Sequence, residues 1–371
     1  MYDQIREDTL YTMLYAVVTV MAIMASCYLL FRRANAIAPE ITSPVRLRRW
    51  VAAFFASIVL NHAWYMPLFF LNSRDDVMMI DLIGGLLDCM TLIPLAIIVL
   101  LAMLQDRRRP LWPVTAMMAP VVLGGVFNVA TRSYALQPIV YVYALLMCMG
   151  LIIYMVRASK QYGRWLRDNY ADLEHKEVWQ SFVVLAIILL VFVFYAFVSE
   201  GPAYQYAMQV ILIVFICYLL WRVETLSDLS ISQQPFTAEE ETTTIENMED
   251  NGLAQTTSDI ISTLLQQHCI DTHLYLQHDL NLSQLAKAIG TNRTYLTNHF
   301  THQGISYNIY INNLRINHFI NLYREAVAAQ QSVTAQQLAL NSGFRSYITF
   351  SRAFKQRMGQ SVTSWMRESA Q

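Results

Sequence analysis

The stretch TAQQLALNSGFRSYITFSRAFKQRMG, residues 334–359, reads as two short helices around a glycine turn. Thr334 opens it and Gln337 follows three residues later, the spacing at which a cap side chain and its partner satisfy each other's backbone N–H groups. Gly343, nine residues after the cap, supplies the permissive backbone angles of a tight turn. Phe350 and Phe354, four apart, mark the buried stripe of a second helix. Upstream, NLSQLAKAIGTNRTYLTNHF, residues 281–300, repeats the template. Asn281 and Gln284 replace Thr334 and Gln337, Leu285-Ala286 answers Leu338-Ala339, Gly290 answers Gly343, and Leu296 and Phe300 form the stripe. Each pair of helices is a helix-turn-helix. The units begin 53 residues apart, and YNIYINNLRINHFINLYREAV, residues 307–327, lies between them as a long amphipathic helix.

At 3.6 residues per turn, the buried stripes dictate which side chains face outward. Opposite Phe350 and Phe354 stand Arg345, Ile348, Thr349, Arg352 and Lys355. Three bases interleaved with small and apolar groups suit phosphate anchoring, guanine reading and contact with thymine methyls. In the first unit the outward set is Thr291, Thr294, Tyr295 and Asn298, with no Lys or Arg among them. Asn298 is of the type that reads adenine, and Tyr295 suits packing on a sugar or base. From Asn281 to the end there are nine bases and two acids, a positive face that suits a polyanion.

Two helix-turn-helices bridged by a long helix, with LRI (residues 314–316) and the pattern GF…F..AFK..MG in the second unit, resemble the DNA-binding domain of the AraC/XylS family. The resemblance covers residues 258–367. It implies transcription regulation, with each unit inserting one helix into successive major-groove segments of double-stranded DNA. Val362 departs from the pattern, standing where the family usually has proline.

The rest of the chain is of another kind. With 55% hydrophobic and 14% charged residues in 371, the composition leaves the soluble globular class. A membrane-crossing helix needs about 20 apolar residues. Seven segments qualify: 10–31, 51–71, 77–104, 111–130, 138–156, 179–199 and 203–221. Fourteen Lys and Arg fall in loops on one side of such a bundle, and only Arg6, Arg74 and Arg132 on the other. That bias orients the N-terminus outward and the C-terminus into the cytoplasm, in the cell's inner membrane. The leader MYDQIREDT is acidic, unlike that of a cleaved signal peptide. The expected fold is therefore all-α: a seven-helix transmembrane bundle (1–222), an acidic flexible linker (223–253) and a cytoplasmic double helix-turn-helix domain of AraC type (254–371).

The outer loops, such as NSRDD (72–76) and EGP (200–202), are too short to fold into a sensor domain. A cue has to be read within or at the bilayer, or through a partner. Polar residues inside the spans are candidates for that reading: Asn61 and His62 in the second, Asp81 and Asp88 in the third. Antiparallel packing places His62 and Asp88 at similar depth, where they are expected to pair. Interhelical bonding that only holds the bundle, as the pairs Gly84–Gly85 and Gly124–Gly125 do by close packing, is the plainer reading. The third inner loop, QYGRWLRDNYADLEHKEVW (161–179), reads as a solvated charged loop, with docking on the tethered domain or lying along the membrane as alternatives. The linker carries eight acids and no base between 223 and 253, and reads as disordered. It is itself a candidate to cover the basic face.

Cys27, Cys89, Cys148 and Cys217 sit in apolar runs, and His268, Cys269, His273 and His278 fit no structural zinc spacing, so neither a metal nor a cofactor is expected. No phosphate-cradling loop or nucleophile–base motif points to an enzyme. The expected partners are promoter DNA, membrane lipid, RNA polymerase and a small-molecule or membrane-protein signal, with a homodimer left open. Two rival readings keep the DNA-binding tail. One makes the bundle a passive anchor, the other a transporter or intramembrane enzyme that senses its own substrate.

Overall fold

A computed structural model describes residues 8–32, 34–71, 73–187, 202–229 and 251–369, which are helical apart from turns, loops and one isolated β-bridge. The chain divides into two compact units, Met1–Tyr162 with Val178–Ser230, and Gly163–Glu177 with Ile231–Gln371.

The first unit is built from long apolar helices: α1 (Thr9–Phe31), α2 (Val45–Tyr65), α3 (Arg74–Met90), α4 (Leu92–Met103), α5 (Trp112–Thr131), α6 (Gln137–Asn169) and α7 (Pro202–Thr225). A single 3-10 turn, Met66–Phe69, extends α2. Asp8 caps α1 by accepting from the Leu10 and Tyr11 N–H groups. Helix α1 packs along α2 and α7, α2 along α4, and α3 along α5. Among the described residues, six helical segments are long and apolar enough to cross a membrane. The remaining expected span, 179–199, is helical over 179–187, and the rest of it lies outside the described residues.

Several boundaries differ from the sequence reading: the expected span 51–71 begins already at Val45, and the expected linker end at 253 lies inside the helix Asn251–Leu265. The expected span 77–104 breaks at Thr91, whose backbone (φ −124, ψ −67) leaves the helical region between α3 and α4. Pro94 follows three residues later, and its ring clashes with a carbonyl one turn back. Helix α6 does not end at 156 but continues to Asn169, because RASKQYGRWLRDN holds good helix formers and no proline. The linker was expected to begin at 223, yet α7 runs to Thr225, and Val223, Glu224, Leu226 and Leu229 are buried. Glu224 is fixed there by the backbone N–H groups of Ala36 (3.1 Å) and Ile37 (2.8 Å) and by the Tyr28 hydroxyl. Residues 230–250 of the linker lie outside the described residues.

The second unit holds α8 (Asn251–Leu265), α9 (Leu282–Ala288), α10 (Arg293–His302), α11 (Tyr307–Ala328), α12 (Ala335–Asn341), α13 (Tyr347–Met358) and α14 (Val362–Ser369). It has two cores. One gathers Leu265, Tyr275, Leu285, Leu296, Phe300 and Ile311, the other Phe319, Leu338, Phe344, Phe350 and Phe354. Helix α11 serves both, its N-terminal half facing the first core and its C-terminal half the second. Val362 is buried at the first position of α14, where a proline would also fit because that N–H needs no helical partner.

Candidate nucleic-acid interface

Each helix-turn-helix forms by the local chemistry its template implies. The Asn281 side chain accepts from the Gln284 N–H at 2.9 Å, and the Gln284 amide oxygen accepts from the Asn281 N–H at 3.0 Å. In the second unit the Thr334 hydroxyl accepts from the Gln337 N–H at 3.2 Å. Gly290 and Gly343 both have positive φ, +70° and +87°. At Gly343 a Cβ would also lie 2.7 Å from the Leu276 backbone, so that position excludes a side chain twice over.

Asn292 and Ser346 then cap the second helix of each unit, α10 and α13. Leu296, Phe300, Phe350 and Phe354 are fully buried or nearly so, which turns the opposite faces outward.

Within the second compact unit, Arg315 ties the two helix-turn-helices together. It is 1% exposed at the middle of α11, and its guanidinium donates to the carbonyls of Tyr275 (2.7 Å) and Gln277 (2.7 Å). Its charge lies over the Phe344 ring at 5.6 Å. One of the nine bases is therefore structural and out of reach of phosphate. Arg357 similarly joins α13 to α11, donating to the Asn313 carbonyl (2.5 Å) and the Asn317 amide oxygen (2.6 Å).

The outward positions fall as follows. Ile348, Arg352 and Lys355 are exposed on α13, Ile348 at 62%. Arg345 is half-buried and turned toward Asp279 at 3.5 Å. Thr349 is half-buried because its hydroxyl donates to Glu174. In the first unit, Thr294 and Asn298 are exposed, Thr291 is half-buried, and Tyr295 packs on the first core instead of standing free. Two residues outside the sequence reading's set also stand at the starts of these helices. Arg293, exposed at the first position of α10, gives this unit a base after all. Its spacing from Leu296 sets it beside the buried stripe, and only its place at the helix start frees it. Ser346, the cap of α13, is the other.

Residues 169–176 belong to this face as well, which corrects the reading of a solvated loop. Arg293 donates to the Asn169 amide oxygen. Tyr170 forms a β-bridge with Asn281. Ala171 is fully buried in the first core, and its carbonyl accepts from Asn308 (2.5 Å) and Asn312 (3.4 Å). The Glu174 carboxylate accepts from the hydroxyls of Ser346 (2.6 Å) and Thr349 (3.2 Å). Lys176 lies over the Tyr170 ring at 5.6 Å; burial pushes its ammonium down, opposed by Asp172 and Asp279.

In the apolar unit the expected His62–Asp88 pair does not form. Asp88 accepts from the Asn61 amide (2.8 Å) and the Tyr65 hydroxyl (3.2 Å), and Gly84 makes room for that tyrosine ring. His62 bonds instead to the Ile58 carbonyl (2.9 Å) and the Gln209 side chain (3.2 Å), with the Tyr15 ring 4.2 Å away. Adjacent residues on a helix point about 100° apart, so Asn61 and His62 meet different neighbours. Asp81 is half-buried and stands outside this network.

Residues 285–368 match the family model described as a helix-turn-helix domain, which is of AraC type. A domain of this type implies binding to double-stranded DNA and transcription regulation. No curated protein and no solved structure matches the chain.

Proposed function

We propose that this chain is a transcription regulator built into the cytoplasmic membrane, in which a membrane-borne cue and a promoter-binding domain share one polypeptide. The observation that carries the reading is one chain holding both an AraC-type helix-turn-helix domain and six span-length apolar helices. The apolar helices expose large hydrophobic side chains, among them Leu10 (67%), Ile139 (66%) and Leu145 (63%), which calls for a non-aqueous neighbour. The Lys and Arg bias of the loops then puts the C-terminal domain on the cytoplasmic side, where promoters are. Within that reading the bonded group Asn61, Tyr65 and Asp88, which holds an ionisable residue inside an apolar helix, is the place where such a cue would be read. Two reading helices per chain allow monomeric binding. No enzymatic role is proposed.

The test is DNA selection from a random-sequence duplex pool by the full chain in lipid nanodiscs. An enriched duplex should bind with an affinity that falls steeply with salt, with a log–log slope of about −5 if roughly six phosphates are neutralised. A salt-insensitive affinity, or export of a reporter fused after Gln371, would refute the reading.

A further inference from the structure

The segment 169–176 occupies donors that the DNA-binding reading needs. Ser346 caps α13, a helix of 12 residues whose first-turn N–H groups carry a partial positive charge. This is the place where a backbone phosphate docks on a recognition helix. There the Glu174 carboxylate, an anionic group that only accepts, takes the Ser346 and Thr349 hydroxyls at 2.6 and 3.2 Å. On the first unit Asn169 takes Arg293, the base at the start of α10. The segment thus touches the start of both reading helices, and Ala171 and its carbonyl anchor it between them through Asn308 and Asn312.

We infer that residues 169–176 are a built-in competitor of DNA, docked across both helix-turn-helix units with Glu174 in the position of a backbone phosphate. The occupant seen at these donors is the chain's own inner loop. A duplex cannot use the Ser346 and Thr349 hydroxyls until Glu174 has left them. Release is built into the docked turn. His175 sits at φ +61°, a conformation that costs a non-glycine residue. Residues 163–169 are also the last turns of α6, whose earlier part is a span-length apolar helix. A cue that shifts α6 acts on the competitor through the covalent chain. The inference rests on the DNA-binding reading above and names the regulation of that same site.

The test compares the full chain in nanodiscs with three variants, against a duplex selected from the random pool by Glu174→Gln. Glu174→Gln weakens the carboxylate contact, Asn308→Leu loosens the anchor away from the reading helices, and Arg352→Ala reports on DNA binding itself. Affinity should rise about fivefold or more in the first two and fall in the third. Hydrogen exchange of residues 170–177 should quicken in both loosened variants, and in the unaltered chain when the duplex is added, while α11 stays protected. If the unaltered chain binds and Arg352→Ala weakens it, but neither loosened variant gains affinity and the duplex leaves residues 170–177 protected, the competitor is refuted and DNA binding stands. If no form binds a duplex, or Arg352→Ala binds as well as the unaltered chain, the DNA-binding reading and the competitor fall together.

Discussion

The Nε of Arg315 donates to the backbone carbonyl of Tyr275 at 2.7 Å, joining the helix between the two helix-turn-helices to the segment that precedes the first of them. With the bond to Gln277, this makes a buried cation satisfied largely by main-chain oxygens. Replacing it by methionine fills the space but leaves those oxygens without donors. Arg315→Met should destabilise the C-terminal unit by about 2–3 kcal/mol. Hydrogen exchange of α11 amides in the full chain measures this, and an unchanged rate would contradict it.

The two turn glycines should respond differently to alanine. Gly290 has φ +70° with open space around it, so Gly290→Ala pays backbone strain alone, about 1 kcal/mol. At Gly343 the same strain combines with a Cβ placed 2.7 Å from the Leu276 backbone, which cannot easily yield. Gly343→Ala should therefore cost clearly more than its counterpart, about 3 kcal/mol or above. Comparing proteolysis of the two variants under native conditions would decide it.

Acid should weaken the first helix-turn-helix. Burial, and then the neighbouring His302, pull the His299 imidazole below its ordinary 6.5, and its ring nitrogens are bonded to Ser258 (3.0 Å) and Gln303 (2.9 Å). Burial also lowers His318, with His273 adding to it and Glu325 opposing. The unfolded chain thus binds protons that the folded one refuses. The stabilisation is whole above the unfolded value of about 6.5 and is lost as pH falls below it. Exchange of α10 amides should accelerate between pH 7.5 and 5.5 beyond the intrinsic trend, and His299→Gln should flatten that dependence.

Contacts on the two reading helices should separate by kind. Lys355→Ala removes an exposed charge, so binding should weaken similarly for all duplexes and the salt slope should shrink by about one. Asn298→Ala removes a side chain of the base-reading type, so it should relax preference at one base position by about 1–3 kcal/mol and leave the salt slope alone. Equal slopes for the two variants would remove this assignment.

Asp88→Asn distinguishes a sensor from an anchor. The change keeps the shape beside Asn61 and Tyr65 but removes the charge. In a sensor, output from a promoter reporter should change several-fold at unchanged protein level in the membrane fraction. A passive anchor would show no change.

Much of this molecule was legible before any fold was known. Caps at Asn281 and Thr334, turns at Gly290 and Gly343, and stripes at Leu296/Phe300 and Phe350/Phe354 act between residues a few positions apart. Local backbone chemistry determines them, and the structure shows them in place. The apolar runs were equally plain, because span-length helices need only composition and length. What the tertiary structure alone decided was pairing. Asn61 rather than His62 meets Asp88, Arg315 is spent on main-chain carbonyls, and Glu174 reaches Ser346 across 172 positions of sequence. Such contacts depend on where a helix ends and how it is rotated. Periodicity sets which side chains share a face, but not what that face will meet.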